Sequence, residues 1–263
     1  MFHNGAHNTR TRLEPSAYAF IWAMEIRTLR ALKDNYCYLI TNGQTAAVVD
    51  PSEAAPITKA LTDFGLKLGL ILNTHHHADH VGGNSELVAQ WKCPVYCSAR
   101  DFDRVPEATN SFNDGDGFEF EKLKFKVLAI PGHTEGQIAY HVEDALFVGD
   151  TVFEMGCGRL FEGTAEQMFA SLAKIQSLPP ATRLFVGHEY TEINARFARQ
   201  MEPFNVFLID ERLSEVRKQL KQTGVATAPT VAGEQKVNPF FRAKTVEEFT
   251  RLRQKRDDFQ LPT

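Results

Sequence analysis

The sequence predicts a layered α/β fold followed by a small helical lobe. Three observations carry that prediction. Short apolar and β-branched runs alternate with helical periodicities up to Tyr190, strand signals fade after it, and chemistry-bearing residues recur just past the ends of apolar runs. Alternation of this kind suits strands buried on both faces beneath helices, in one large sheet or two. Pure α and pure β classes do not fit it.

In order, runs at 25–29, 36–40 and Thr45–Val49 read as an antiparallel meander turned at Asn42-Gly43. Ala54–Phe64 places Ile57, Ala60, Leu61 and Phe64 at helical spacing, and Gly65 and Gly69 bracket a strand at 68–73. A helix is expected from Gly82-Gly83 to 90, then strands at 94–97, 118–120, 124–130, 138–141, 145–148 and Arg183–Val186, with a helix at 165–177. Beyond Tyr190, helices are expected at Thr191–Met201, 206–221 and 245–255, separated by the Pro- and Gly-containing stretch 224–239. The division is thus an extension at 1–24, an α/β domain at 25–190 and a helical lobe at 191–263. A lobe of that size is small for independent folding and should pack tightly on the first domain.

Composition narrows the function. With 33 acidic and 29 basic residues the net charge is −4, which argues against a general nucleic-acid binder. The charge is uneven: residues 191–263 hold 13 basic and 10 acidic side chains, so the tail is the better seat for an anionic group. No apolar run approaches the roughly 18–20 residues of a membrane span. Four scattered cysteines, Cys37, Cys93, Cys97 and Cys157, do not form a disulfide scaffold and fit a reducing compartment. A cytoplasmic monomer is expected. Arg10, Arg12 and the apolar stretch 17–24 faintly imitate a targeting segment, leaving organelle targeting as the alternative.

The strongest local signal is Thr74-His75-His76-His77-Ala78-Asp79-His80-Val81-Gly82-Gly83-Asn84, directly after an apolar strand. Side chains on an extended segment alternate, so His75 and His77 point to one side and can reach one metal ion, while His76 points away. Asp79 and His80 sit where the chain turns and can face a second position nearby. Three more candidates follow apolar strands in the same way: His133 in Pro131-Gly132-His133-Thr134, Asp150 in Gly149-Asp150-Thr151, and His188 in Gly187-His188-Glu189-Tyr190. Five imidazoles and two carboxylates suit two divalent ions with one shared carboxylate. Such a pair generates hydroxide near neutral pH and neutralises a developing oxyanion, so hydrolysis is the natural outcome.

These motifs resemble the metallo-β-lactamase superfamily, and within it the glyoxalase II family. The glyoxalase II likeness rests on residues 156–164 (Gly-Cys-Gly-Arg-Leu-Phe-Glu-Gly-Thr), on Tyr190, on Asn238-Pro239-Phe240-Phe241-Arg242 and on the closing residues 253–259. The resemblance implies an αββα sandwich with a helical C-terminal domain. It also implies that His75, His77 and His133 hold one metal, that Asp79, His80 and His188 hold the other, and that Asp150 bridges them. It assigns Arg159, Phe161, Tyr190, Arg253 and Arg256 to substrate binding, with the cations holding glutathione. Phe161 stands where the pattern often has tyrosine, and Arg159 and Arg256 where lysine is common.

The implied reaction is hydrolysis of S-(2-hydroxyacyl)glutathione, typified by S-D-lactoylglutathione, using two divalent ions: zinc first, with iron or manganese as alternatives. Asp79 and Asp150 would serve as ligands that position a bridging hydroxide. Two other readings remain open, a mononuclear iron dioxygenase acting on glutathione persulfide and a non-catalytic metal-binding module. A Cys157 nucleophile is disfavoured because no base accompanies it, and Cys93 and Cys97 form only a weak C-x3-C pattern.

Overall fold

The computed structural model describes residues 23–259, so most of the expected extension, residues 1–22, lies outside the described residues. The first sheet is assembled from β1 (Glu25–Ala31), β2 (Asn35–Thr41), β3 (Thr45–Val49), β4 (Lys67–Leu72), β5 (Val95–Ser98) and β6 (Asn110–Phe112), in that spatial order. Its first three strands form the antiparallel meander, and β3 through β6 run parallel. Parallel neighbours need crossovers, which α1 (Ala54–Phe64) provides between β3 and β4, the short turn α2 (Ala78–Val81) with α3 (Asn84–Trp91) between β4 and β5, and the turns at 99–109 between β5 and β6.

The second sheet has the order β13 (Arg183–Val186), β10 (Ala145–Gly149), β9 (Ile138–Val142), β8 (Leu123–Ala129) and β7 (Gly117–Phe120). A small hairpin, β11 (Val152–Phe153) and β12 (Gly156–Cys157), follows β10, and α4 (Ala165–Gln176) precedes β13.

Alternation along the strands decides which face meets which layer. On β2, Cys37 and Leu39 join α1 and α3 residues Ile57, Leu61 and Leu87 in one core, while Tyr36, Tyr38 and Ile40 face the second sheet. At Gly69 the β3–β4 register shifts by one residue, which keeps Leu70 and Leu72 on the inter-sheet face and Ile71 on the helix face. The sheets are also tied by polar contacts: the Tyr38 hydroxyl donates to the Val186 carbonyl at 2.6 Å, and the Tyr140 hydroxyl lies 3.0 Å from the Asn73 and Tyr96 carbonyls. The result is an αββα sandwich.

After β13 the chain is helical: α5 (Thr191–Met201), a 3-10 turn (Pro203–Asn205), α6 (Val206–Thr223), α7 (Val231–Val237), α8 (Pro239–Arg242) and α9 (Val246–Asp258). The expected tight packing is present, since Phe197, Phe240, Phe241 and Phe249 belong to the same buried cluster as the second sheet. The sequence reading missed α7 inside the separating stretch 224–239 and α8 at its end, and missed β6, β11 and β12. All are short, so their local periodicity is too brief to register.

Topology gathers the strand ends. β8 and β10 both run antiparallel to the β9 between them, and β13 runs parallel to β10, so their C-terminal ends share one rim. The end of β4 meets that rim through the Ile138 N–H, which donates to the Thr74 carbonyl at 2.9 Å.

Candidate metal centre

All seven sequence-predicted ligating side chains meet at this rim, although they are spread over residues 75–188. Three nitrogens form one group: His75 Nε2 and His133 Nε2 lie 3.1 and 3.0 Å from His77 Nδ1. Asp79, His80 and His188 form another, with His188 Nε2 3.3 Å from Asp79 Oδ2 and 3.3 Å from His80 Nε2. Asp150 stands between them, Oδ2 at 3.5 Å from His133 Nε2 and 3.3 Å from His188 Nε2, and Oδ1 at 3.4 Å from His80 Nε2. Gly187 makes this approach possible, because a Cβ there would collide with Asp150 Oδ1.

The outer ring nitrogens fix the tautomers. The Thr74 hydroxyl donates to Asp50 Oδ2 at 2.7 Å, so it accepts from His75 Nδ1 at 3.0 Å. His133 Nδ1 donates to the Arg159 carbonyl at 2.8 Å, His80 Nδ1 to Asp50 at 3.0 Å, and His188 Nδ1 to Asp34 at 2.9 Å. Each of these rings therefore turns Nε2 inward, an arrangement that holds metal-binding imidazoles in place.

Burial lowers the pKa of His75 and His133, and burial with the neighbouring His133 takes His77 down to about 4. His75 and His133, with their outer protons pinned, then both turn a lone pair toward His77 Nδ1, an arrangement of neutral nitrogens that suits a cation. On the other side, burial opposes charge on His80 and His188, yet the carboxylates prevail: Asp150 and Asp50 raise His80 well above its ordinary value, and Asp150 with Asp79 takes His188 up to about 10. Asp79 is held well below the usual carboxylate range, first by its hydrogen bond to His188. Asp150 Oδ1 is buried without a hydrogen bond. This donor set fits divalent cations on both sides of Asp150.

Asp50 also lies within ligating distance of His75 and His80. Its oxygens are already engaged by the Thr74 N–H at 2.8 Å, the Thr74 hydroxyl and His80, so it orients rather than ligates. His76 turns away, toward Asp101 and Glu162.

The centre opens into a cavity of about 570 Å³ whose lining includes Arg159, Phe161, Tyr190, Arg253 and Arg256, all five residues expected at the substrate site. Their situations differ. Phe161 is 61% exposed at the mouth, 5.6 Å from the His77 ring centroid. Tyr190 stacks on His188 at 4.9 Å. Arg253 is buried and donates to the Cys157 carbonyl at 2.7 Å and to Asp257 at 3.0 Å, while Arg159 pairs with the same carboxylate at 3.1 Å. Arg256 bonds Asn194 Oδ1 at 3.1 Å and has no carboxylate partner among the described residues. Asn194 and Phe153 also line the cavity, and the sequence reading missed both. Asn194 was findable: it lies one helical turn beyond Tyr190 and shares its face. Cys157 is a buried thiol pushed up to about 11 by burial, against the pull of Arg253.

A two-sheet sandwich with imidazoles and carboxylates gathered at one rim defines a class of metal-dependent proteins, and residues 31–188 match the model of the metallo-beta-lactamase superfamily. Residues 189–259 match that of the hydroxyacylglutathione hydrolase C-terminus. The chain belongs to the hydroxyacylglutathione hydrolase family of the metallo-beta-lactamase superfamily. It is 46% identical to the hydroxyacylglutathione hydrolase of Methylococcus capsulatus, over 87% of this chain and 91% of that one. It is 49% identical to that of Gloeobacter violaceus, over 83% and 88%. Among solved structures, ETHE1 from Myxococcus xanthus superposes with a TM-score of 0.68 at 26% identity, covering 91% of this chain and 92% of that one.

Proposed function

We propose that the chain hydrolyses S-(2-hydroxyacyl)glutathione thioesters, S-D-lactoylglutathione among them, to a 2-hydroxy acid and glutathione. The observation that carries this reading is two ligand sets meeting at Asp150 on the floor of a cavity whose wall presents Arg256. The relatives' shared name favours the same reaction. His75, His77 and His133 are assigned to one ion, Asp79, His80 and His188 to the other, and Asp150 to both. Bound there, two divalent cations supply hydroxide near neutral pH and charge for the oxyanion.

The protein's own groups do the rest. Asp50, Asp34 and the Arg159 carbonyl hold the imidazole protons on the outer nitrogens. Arg256, assisted by Arg159 and Tyr190, takes the glutathione portion, and Arg253 shapes the 157–159 backbone that carries Arg159. A thiol of pKa about 8.5 leaves as thiolate without a side-chain acid, and Cys157 stays a spectator.

Zinc is the assigned ion, because an imidazole-rich set suits it, though iron and manganese accept the same donors. A mononuclear persulfide dioxygenase would leave Asp79, His80 and His188 without a task. Metal analysis of purified protein, paired with turnover of lactoylglutathione, other glutathione thioesters and glutathione persulfide, tests the reading. Two ions per chain with thioester cleavage are expected; oxygen consumption on the persulfide without thioester cleavage would sink it.

A further inference from the structure

We propose that His76, Asp101, Arg104 and Glu162 form a positioning cluster that sets the 158–164 loop, and with it Arg159 and Phe161, against the metal centre. The proposal rests on the thioesterase reading for its substrate. His76 sits between two assigned ligands, with Nδ1 3.1 Å from Asp101 Oδ2 and Nε2 3.5 Å from Glu162 Oε1. Asp101 is 1% exposed, and its carboxylate occupies the space that a side chain at Gly136 would fill. A carboxylate so buried is costly unless paired; neither of its oxygens has a hydrogen bond among the described residues, and His76 and Arg104, whose Nη1 is 3.7 Å away, are the nitrogens in reach.

Arg104 Nη2 donates to Glu162 Oε1 at 2.7 Å, and Glu162 Oε2 accepts the Glu135 N–H at 3.0 Å. Glu162 directly follows Phe161, and both backbone N–H groups donate to the His133 carbonyl, at 3.1 and 3.4 Å. One polar cluster thus joins the histidine motif, the loop after β5 and the substrate loop. None of its four side chains lines the cavity, so each acts through the loop.

The test uses the zinc-loaded full chain and the variants Glu162→Ala, Glu162→Gln, Arg104→Ala and the double Glu162→Ala/Arg104→Ala. Glu162→Ala and Arg104→Ala should each raise KM for lactoylglutathione, and Kd for the uncleaved S-hexylglutathione, by about tenfold while kcat stays within about twofold. Bound metal should not change. Glu162→Gln keeps one of the two accepted hydrogen bonds and loses the charge, so it should recover part of the loss, and the double variant should be no worse than either single one. KM and Kd within about twofold of wild type in both single variants overturn the proposal. So does a joint fall of kcat and bound metal with KM unchanged. Wild-type protein that binds S-hexylglutathione but cleaves no thioester sinks the thioesterase reading alone, and the Kd and metal measurements still decide the cluster.

Discussion

At the residue scale, Asp150 should have the largest consequence, because its two oxygens lie between both candidate ligand groups. Asp150→Asn keeps the volume and removes the charge; kcat should fall by about 10³-fold or more, with loss of bound metal by elemental analysis. Asp50→Asn, one shell out, should weaken metal binding by about 10–100-fold, read by chelator competition. Cation entry would also have a proton cost, since Asp150 and Asp79 carry His188 up to about 10. Metal binding at about pH 7.5 should release protons and tighten as pH rises; calorimetry in buffers of different ionisation enthalpy that finds no release would contradict this. Cys157→Ala should keep most turnover. The seven candidate ligands stood out in the sequence because they sit in histidine- and glycine-marked motifs past apolar runs. Asp34 and Asp50 did not: Asp50 also directly follows the Thr45–Val49 run, but a lone turn carboxylate carries no such motif until the fold sets it beside a ring nitrogen.

At the element scale, helix ends and one hairpin hold the site. Thr164 caps α4 with a reciprocal bond to Gln167, fixing the end of the substrate loop. Thr164→Ala should cost about 1 kcal/mol of stability in denaturant unfolding while leaving bound metal unchanged. The β11–β12 hairpin is latched by Asn238, whose amide reaches the Gly156 carbonyl at 2.9 Å and Glu234 at 2.7 Å. The sequence singled out Asn238-Pro239 as part of a motif without showing what the asparagine grips. A two-residue strand has too little pattern of its own, and its pairing is decided by the helix it rests on.

Across the whole molecule, the helical lobe and the sandwich share a buried acidic junction. Burial carries Glu154 to about 7 against the pull of Arg212, and burial with the Glu154 charge carries Glu234 to about 8. These values lie above the ordinary 4.5, so the folded state holds protons that the unfolded chain has released. Stability is then fullest below about pH 4.5 as far as these groups are concerned, declines up to about pH 8 and levels off beyond it. Glu234→Gln should flatten that decline, by up to a few kcal/mol between the two ends, in unfolding curves followed across the range. An unchanged slope would place the pH dependence elsewhere.

The amino-acid order by itself determined the alternation of strands and helices, the helical tail and which side chains are the candidate ligands, because period, turn residues and strand-end motifs are local properties. Only the tertiary structure decided that the ends of β4, β8, β10 and β13 share one rim, that Arg253 serves backbone carbonyls while Arg256 faces the cavity, and that His76 lies beside Asp101 and Glu162. Those outcomes depend on strand direction and on which charges burial brings together, and both are set by contacts between residues far apart in the chain.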